Sequence, residues 1–345
     1  MVKLQKRSEQ IRQFILDNVE HYPKDIASLA AKTFEISRQA VNKHIQHLVE
    51  QKALLVRGTT RSRHYLLKPL EKWDQIYALN HALEEHVVWQ NDIFPRLGQL
   101  PENVIDIWHY GFTEMLNNAI DHSSGKNVFI QLERTATSTE TLIHDDGEGI
   151  FKKIHREMEL IDERHAVLEL SKGKLTTDPD NHSGEGIFFS SRLFDVFDIM
   201  SGCVHFIYHH NEVEDWIFEN QKSTSGTYVF MKLNNNTNRT TKQIFDDFSD
   251  ENYSFSKTVV PVRLAQYGSE KLISRSQAKR LLVRVDRFKV VVFDFEGVET
   301  IGQAFADEVF RVFKKQHPEV ELRHANACKD VEQMISRAQF AFSNG

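Results

Sequence analysis

The chain is poor in cysteine and in uninterrupted apolar sequence. Cys203 and Cys328 are its only cysteines in 345 residues, too few and too far apart for a disulfide framework or a zinc site. A reducing, cytoplasmic setting is therefore expected. The most apolar later stretch, residues 186–208, is broken by Arg192, Asp195 and Asp198, which argues against a membrane helix and a membrane partner. The opening residues, Met1 to Arg7, lack the apolar core of a signal peptide. At 40% apolar and 27% charged, the composition is that of an ordinary globular protein, and the length allows two or three domains.

The net charge of −6 is uneven: residues 1–70 hold 13 Lys/Arg against 6 Asp/Glu, or +7, leaving −13 for the rest. A basic block on an acidic chain suggests an appended nucleic-acid-binding module. Its pattern predicts three helices. The first, over 5–19, puts Ile11, Phe14, Ile15 and Val19 on one face. Asp25 can cap a second through Ile26, Leu29 and Ala30. Ser37 can cap a third over 38–48, with Val41, Ile45 and Leu48 inward and Arg38, Gln39, Asn42, Lys43 and Gln46 outward. A strand at 53–56, a turn carrying Arg57, Arg61 and Arg63, and a strand at 64–67 form a hairpin with a basic tip. Residues 1–68 thus resemble a winged helix-turn-helix domain. The resemblance implies double-stranded DNA as partner, with the third helix in a major groove and the three arginines on adjacent backbone or minor groove. Protein contact or dimerisation is the other use of such a domain.

Glycine is also scarce, yet it clusters beside acids. Glu114-Met-Leu-Asn-Asn118-Ala-Ile-Asp121-His122 is followed by Asp145-Asp-Gly-Glu-Gly-Ile150 and His182-Ser-Gly-Glu-Gly-Ile187. A carboxylate and an amide four residues apart share a helical face, where they can serve one metal-bound phosphate and the attacking water. The first glycine turn can read an adenine edge, and the second can bring backbone N–H groups to phosphates. In this order the pieces point to an ATP site. Phosphoryl transfer needs a positioned nucleophile and neutralised phosphate charge, and Mg²⁺ keeps enough waters for one amide oxygen plus the nucleotide to hold it.

With a helix leading into Glu114 and strands at 128–133, 141–144, 205–208 and 227–233, residues 80–235 resemble the GHKL ATPase superfamily of histidine kinases, type II topoisomerases, a family of heat-shock chaperones and mismatch-repair ATPases. The resemblance implies Glu114 as the group that orients or deprotonates the nucleophile and Asn118 as the Mg²⁺ ligand, with Asp121 and His122 lining the same groove. It implies Asp145 on the adenine amino group, Gly147 and Gly149 under the base, Ser183, Gly184 and Gly186 in the phosphate lid, and Thr227 on the adenine side. His81 and His86 lie upstream without the His-Glu or His-Asp pair of a phospho-accepting helix, so histidine autophosphorylation is not expected. Ser183-Gly-Glu-Gly-Ile-Phe-Phe and the spacing of Glu114, Asn118 and His122 look closer to the anti-sigma-factor serine-kinase branch. An insertion over 151–181, read as a helix and a polar loop, departs from that pattern; its Lys172 and Lys174 are expected as solvated loop lysines, with phosphate contact as the alternative.

Asn234 to Thr241 is a polar break. After it come a strand at 259–264, a helix from Ser274 or Ser276, a buried strand at 290–295, a helix to Phe313, a strand at 321–323 and a final helix through Val331 and Ile335, which implies a small α/β domain. Phe293-Asp-Phe-Glu-Gly-Val-Glu-Thr-Ile301 makes residues 255–340 resemble STAS domains, and more closely a STAS-like family of unknown function found behind GHKL domains. The turn Gly302-Gln-Ala-Phe305 lacks the phospho-accepting serine of the anti-sigma-factor antagonists.

The expected fold class is multidomain α+β: a winged helix-turn-helix domain (1–70), a helical connector (71–100), a GHKL, Bergerat-type α/β sandwich (101–235), a linker (236–254) and a small STAS-like α/β domain (255–345). The expected function is ATP- and Mg²⁺-dependent control of DNA binding by a homodimer. The alternatives are a serine/threonine kinase acting on a separate STAS-type or sigma-factor-pathway partner, and a nucleotide-binding scaffold without turnover.

Overall fold

The computed structural model describes residues 2–59, 62–80, 82–175, 184–210, 216–266 and 270–343. Arg61, His81 and Ser183 lie outside the described residues.

Three N-terminal helices, α1 (Val2–Asn18), α2 (Ile26–Phe34) and α3 (Arg38–Glu50), precede an antiparallel hairpin of β1 (Leu54–Arg57) and β2 (His64–Leu67). Ile11, Ile15, Val19, Ile26, Ala30, Val41, Ile45 and Leu48 close one small apolar core. Ser37 caps α3 by accepting from the Ala40 N–H. Asp25 stands at the start of α2 but makes no side-chain cap bond.

A five-stranded antiparallel sheet follows, in the order β3-β4-β5-β7-β6. Its strands are β3 (Glu71–Ala78), β4 (Asn127–Arg134), β5 (Ser138–Asp145), β6 (Val196–His209) and β7 (Trp216–Asn234). The first strand corrects the expected helical connector at 71–78. Trp73 and Tyr77 have helical spacing, but the segment pairs along its whole length with β4, from Glu71 opposite Arg134 to Ala78 opposite Asn127. Only the later part of the connector is helical, through α4 (Glu85–Val88), a wide turn at Trp89–Ile93 and α5 (Phe94–Leu97). It is tied back to the strand by Tyr77 Oη donating to Asp92 Oδ2 at 2.7 Å and by Arg96 over the Trp73 ring.

One face of the sheet is covered by α6 (Glu102–His122), α7 (Ile150–Glu157), α8 (Glu163–Lys172) and α9 (Gly186–Leu193). The α6 stripe of Val104, Ile107, Trp108, Phe112, Met115, Leu116 and Ala119 recurs every three or four residues. It buries against Val128, Ile130 and Leu132 of β4, Ile143 of β5, and Phe197 and Ile199 of β6.

The expected linker is also partly ordered. Residues 241–248 form α10 (Thr241–Phe248), which starts with a capping box between Thr240 and Gln243. Beyond it lies a three-stranded parallel sheet, β10-β9-β8, made of β8 (Lys257–Pro261), β9 (Val290–Asp294) and β10 (Glu321–Ala325). It packs with α11 (Arg275–Leu282), a helical run of α12 (Gln303–Asp307), a wide turn and α13 (Lys314–Gln316), and α14 (Lys329–Ser343). Ser274 caps α11 in a capping box with Gln277.

The two sheets share helices. Ala166, Val167 and Leu170 of α8 belong to the core under the five-stranded sheet. Leu168 of the same helix, with Phe188 and Phe189 of α9, belongs to the core of the C-terminal domain. The described part of the 151–181 insertion, up to residue 175, holds two helices, α7 and α8, and residues 176–181 of the expected polar loop lie outside the described residues. Lys172 is 1% exposed, ion-paired to Glu169 and bonded to the Val283 carbonyl at 2.9 Å. Lys174 donates to the Arg287 carbonyl and sits over the Phe288 ring. Both lysines are held by the C-terminal domain.

Candidate functional site

A cavity of about 390 Å³ lies between α6, α7 and the second glycine turn, within the range of small-ligand sites. Glu114, Asn118 and His122 line it from α6; successive steps of four residues keep them on one face. Asp145 and Thr227 enter from adjacent ends of β5 and β7, where they are register partners. Gly184 and Gly186 close the side nearest α9.

The glycines allow close approaches. A Cβ on Gly147 would collide with the backbone carbonyl of Ser123, and one on Gly186 with the Glu114 carboxylate. Gly226 adopts φ +73°, a conformation that glycine takes at little cost, and a Cβ there would collide with the Asp145 carbonyl. The first turn is also cross-braced: Glu148 N–H donates to the Ser123 carbonyl at 3.0 Å, and Ile150 N–H to Thr227 Oγ1 at 3.0 Å. Asp146, next to Asp145, accepts from the Lys126 and Asn127 backbones, a turn-holding role that pulls its carboxyl below the ordinary range.

Asp145 is 5% exposed. Burial raises its carboxyl above the ordinary value, against the opposing hydrogen bonds from Gly147 and Thr227. Beyond Glu114, outside the cavity lining, burial raises the Tyr110 phenol, with the nearby Glu114 and Glu185 carboxylates adding to the shift. Burial also raises Glu185, with Lys174 opposing. A buried acceptor, Asp145, at one end and the Glu114 carboxylate at the other suit a ligand with a hydrogen-bonding base and a reacting tail.

Among the described residues no group of three His, Cys, Asp or Glu side chains could hold a metal alone.

Sequence reasoning placed Asp121 in the groove, but its side chain is exposed and does not line the cavity. Gly147 and Gly149 form the turn outside the cavity wall. The reasoning missed Asn117, Ser123, Lys153 and the apolar Met115, Ile143, Ile150, Ile154, Leu170 and Leu175. Asn117 could have been found from the Asn-Asn pair. Lys153 carried only the faint signal of a cation four residues past Gly149.

Away from the cavity, Arg38, Gln39, Asn42, Lys43 and Gln46 are all exposed on α3, opposite buried Val41, Ile45 and Leu48. Arg57 and Arg63 are exposed at the hairpin. The Arg38 guanidinium also bonds Ser28 Oγ on α2.

Residues 78–205 match the family described as histidine kinase-like ATPase domain. Residues 277–332 match a STAS-like domain of unknown function. Neither match reaches the first 77 residues. No curated protein and no solved structure matches the chain. The chain therefore carries a histidine kinase-like ATPase domain, whose cavity is the one described above, followed by a STAS-like domain.

Proposed function

We propose that this chain is an Mg²⁺-dependent, ATP-binding regulator of DNA binding, in which nucleotide occupancy is transmitted through the second glycine turn. The observation that carries this reading is the sharing of α8 and α9 between two cores. Leu170, Leu175, Gly184 and Gly186 line the cavity, while Leu168, Phe188 and Phe189 on the same segments are buried in the STAS-like core. A ligand that moves the turn must move its flanks, and they cannot shift without disturbing the C-terminal domain. The N-terminal domain joins the β3 edge of the sheet through residues 68–70, where Leu70 N–H donates to the Arg134 carbonyl, and it also reaches β7, where Lys232 meets Glu20. Within this reading Glu114 orients or deprotonates the nucleophile, Asn118 carries the metal, and α3 with Arg57 and Arg63 contacts double-stranded DNA. A homodimer on paired half-sites is the natural arrangement.

The test is the DNA affinity of the intact chain without nucleotide, with ADP and with Mg-ATP, at two salt concentrations. A nucleotide-dependent change supports the switch. Unchanged, salt-sensitive DNA binding sinks it.

One observation favours a second reading, a serine/threonine kinase acting on another STAS-type protein. The turn from Gly302 to Phe305 has no hydroxyl and does not line the cavity, which favours an acceptor on a separate chain. Transfer of label from ATP to a partner protein would establish that reading, and its absence across candidate partners would count against it.

A further inference from the structure

Lys153 supplies the one lysine or arginine side chain that lines the cavity among the described residues. It projects from the second turn of α7, half-buried, and its Nζ donates to the His122 carbonyl at 2.9 Å. His122 is the last residue of α6. The formal charges otherwise facing the cavity are those of Glu114 and Asp145, which would repel a polyphosphate.

Its place along the cavity defines what it can touch. Glu114 and His122 are eight residues apart on α6, roughly 12 Å at 1.5 Å per residue. Asp145 sits at the His122 end, where Gly147 and Glu148 pack on Ser123. A nucleotide with its base on Asp145 and its terminal phosphate toward Glu114 therefore passes its sugar and first phosphate beside Lys153.

We infer that Lys153 is a nucleotide-binding residue that recognises the first phosphate of the ligand, the phosphate common to AMP, ADP and ATP. This deepens the ATP-site reading and rests on it. The ammonium has three donors, and the His122 carbonyl takes one. The remaining donors can reach an anion without breaking that bond, so the carbonyl holds the side chain in place before the ligand arrives. A lysine serving only to cap α6 would make the same bond with nothing in the cavity to recognise.

The experiment is calorimetric titration of the intact chain and its Lys153→Ala and Lys153→Arg variants with adenosine, AMP, ADP and Mg-ATP, alongside melting without ligand. For Lys153→Ala we expect all three phosphorylated ligands to weaken by a similar factor, on the order of tenfold or more, as for loss of one charge-assisted hydrogen bond. Adenosine should bind unchanged, and Lys153→Arg should recover most of the loss. Equal weakening of adenosine would assign Lys153 to capping α6 and overturn the inference. So would no loss with any ligand, or a loss confined to ATP. Failure of the unsubstituted chain to bind any adenine nucleotide is a different result, and it would remove the ATP-site reading itself.

Discussion

Lys172 Nζ lies 2.6 Å from Glu169 Oε1, and each side chain is 1% exposed. The pair sits one turn apart on α8, and Lys172 reaches on to the Val283 carbonyl of the STAS-like domain. Burial alone would push Glu169 up, but Lys172 and His165 outweigh it and hold the carboxyl below its ordinary 4.5. Glu169→Gln or Lys172→Met strands one buried charge or donor, which should cost about 3–5 kcal/mol, read as a fall in denaturation midpoint. Because the folded carboxyl is depressed, its contribution is present above the unfolded value of 4.5 and disappears as pH falls through the lower folded value. The unsubstituted chain should therefore lose stability in that acid window, and Glu169→Gln should lose less there.

Asp145 has the opposite sign. Its carboxyl is raised by burial, so the folded state favours the protonated form, and that preference is lost as pH rises through the folded value. At neutral pH the charged form is carried at a cost. Asp145→Asn should keep the Gly147 N–H partner, leave melting unchanged or higher, and weaken adenosine and ATP alike by tenfold or more, on the order of one lost hydrogen bond to a charged group. A clear drop in melting temperature would contradict this account.

Glu114 and Asn118 should separate chemistry from binding. Glu114→Ala is expected to lower hydrolysis on the order of 10²-fold or more, as for loss of a general base, with Mg-ATP affinity retained. Asn118→Ala should weaken Mg-ATP itself, more than it weakens metal-free ATP. Equal loss of binding in both variants would refute the division of roles.

Gly186 lies where a Cβ would strike the Glu114 carboxylate. Gly186→Ala should displace that carboxylate and reduce turnover at least tenfold, the cost of a misplaced reacting group. Circular dichroism should remain native; a globally unfolded variant would assign the glycine to folding instead.

For the N-terminal domain, Arg57→Ala and Arg63→Ala should each reduce the salt dependence of DNA binding by about one counterion. Asn42→Ala should weaken preferred sequences more than random ones. Uniform indifference to all three would direct attention to protein partners of α3.

The helices that carry their own start signals were legible in the sequence. Ser37 and Ser274 announce α3 and α11 and cap them as expected. The spacing from Glu114 to His122 predicts a shared face, and of its four nominated residues Glu114, Asn118 and His122 line the cavity while Asp121 does not. Asp121, about 20° round the helix from Glu114, shares that face yet is exposed and outside the cavity lining; which part of the face is walled is set by the neighbouring elements. β3 is illegible locally because its strand character comes from pairing with β4, whose partners lie 49 to 63 residues further along the chain. Lys172 looked like a loop lysine because its partner carbonyl belongs to another domain. The Thr240–Gln243 box that starts α10 is present in the sequence but is masked by the polar run around it.

The shared helices also set a schedule for biosynthesis. Phe188 and Phe189 rest against Phe245, Phe248 and Phe255, all encoded later, and the STAS-like core they join extends to Ala338. On a ribosome adding about 5–20 residues per second, the ATPase half would wait on the order of ten seconds with that aromatic surface uncovered. The nascent chain is thus a natural client for a holdase during that interval. Truncation near residue 235 would make the interval permanent and leave a sticky fragment instead of an autonomous ATPase.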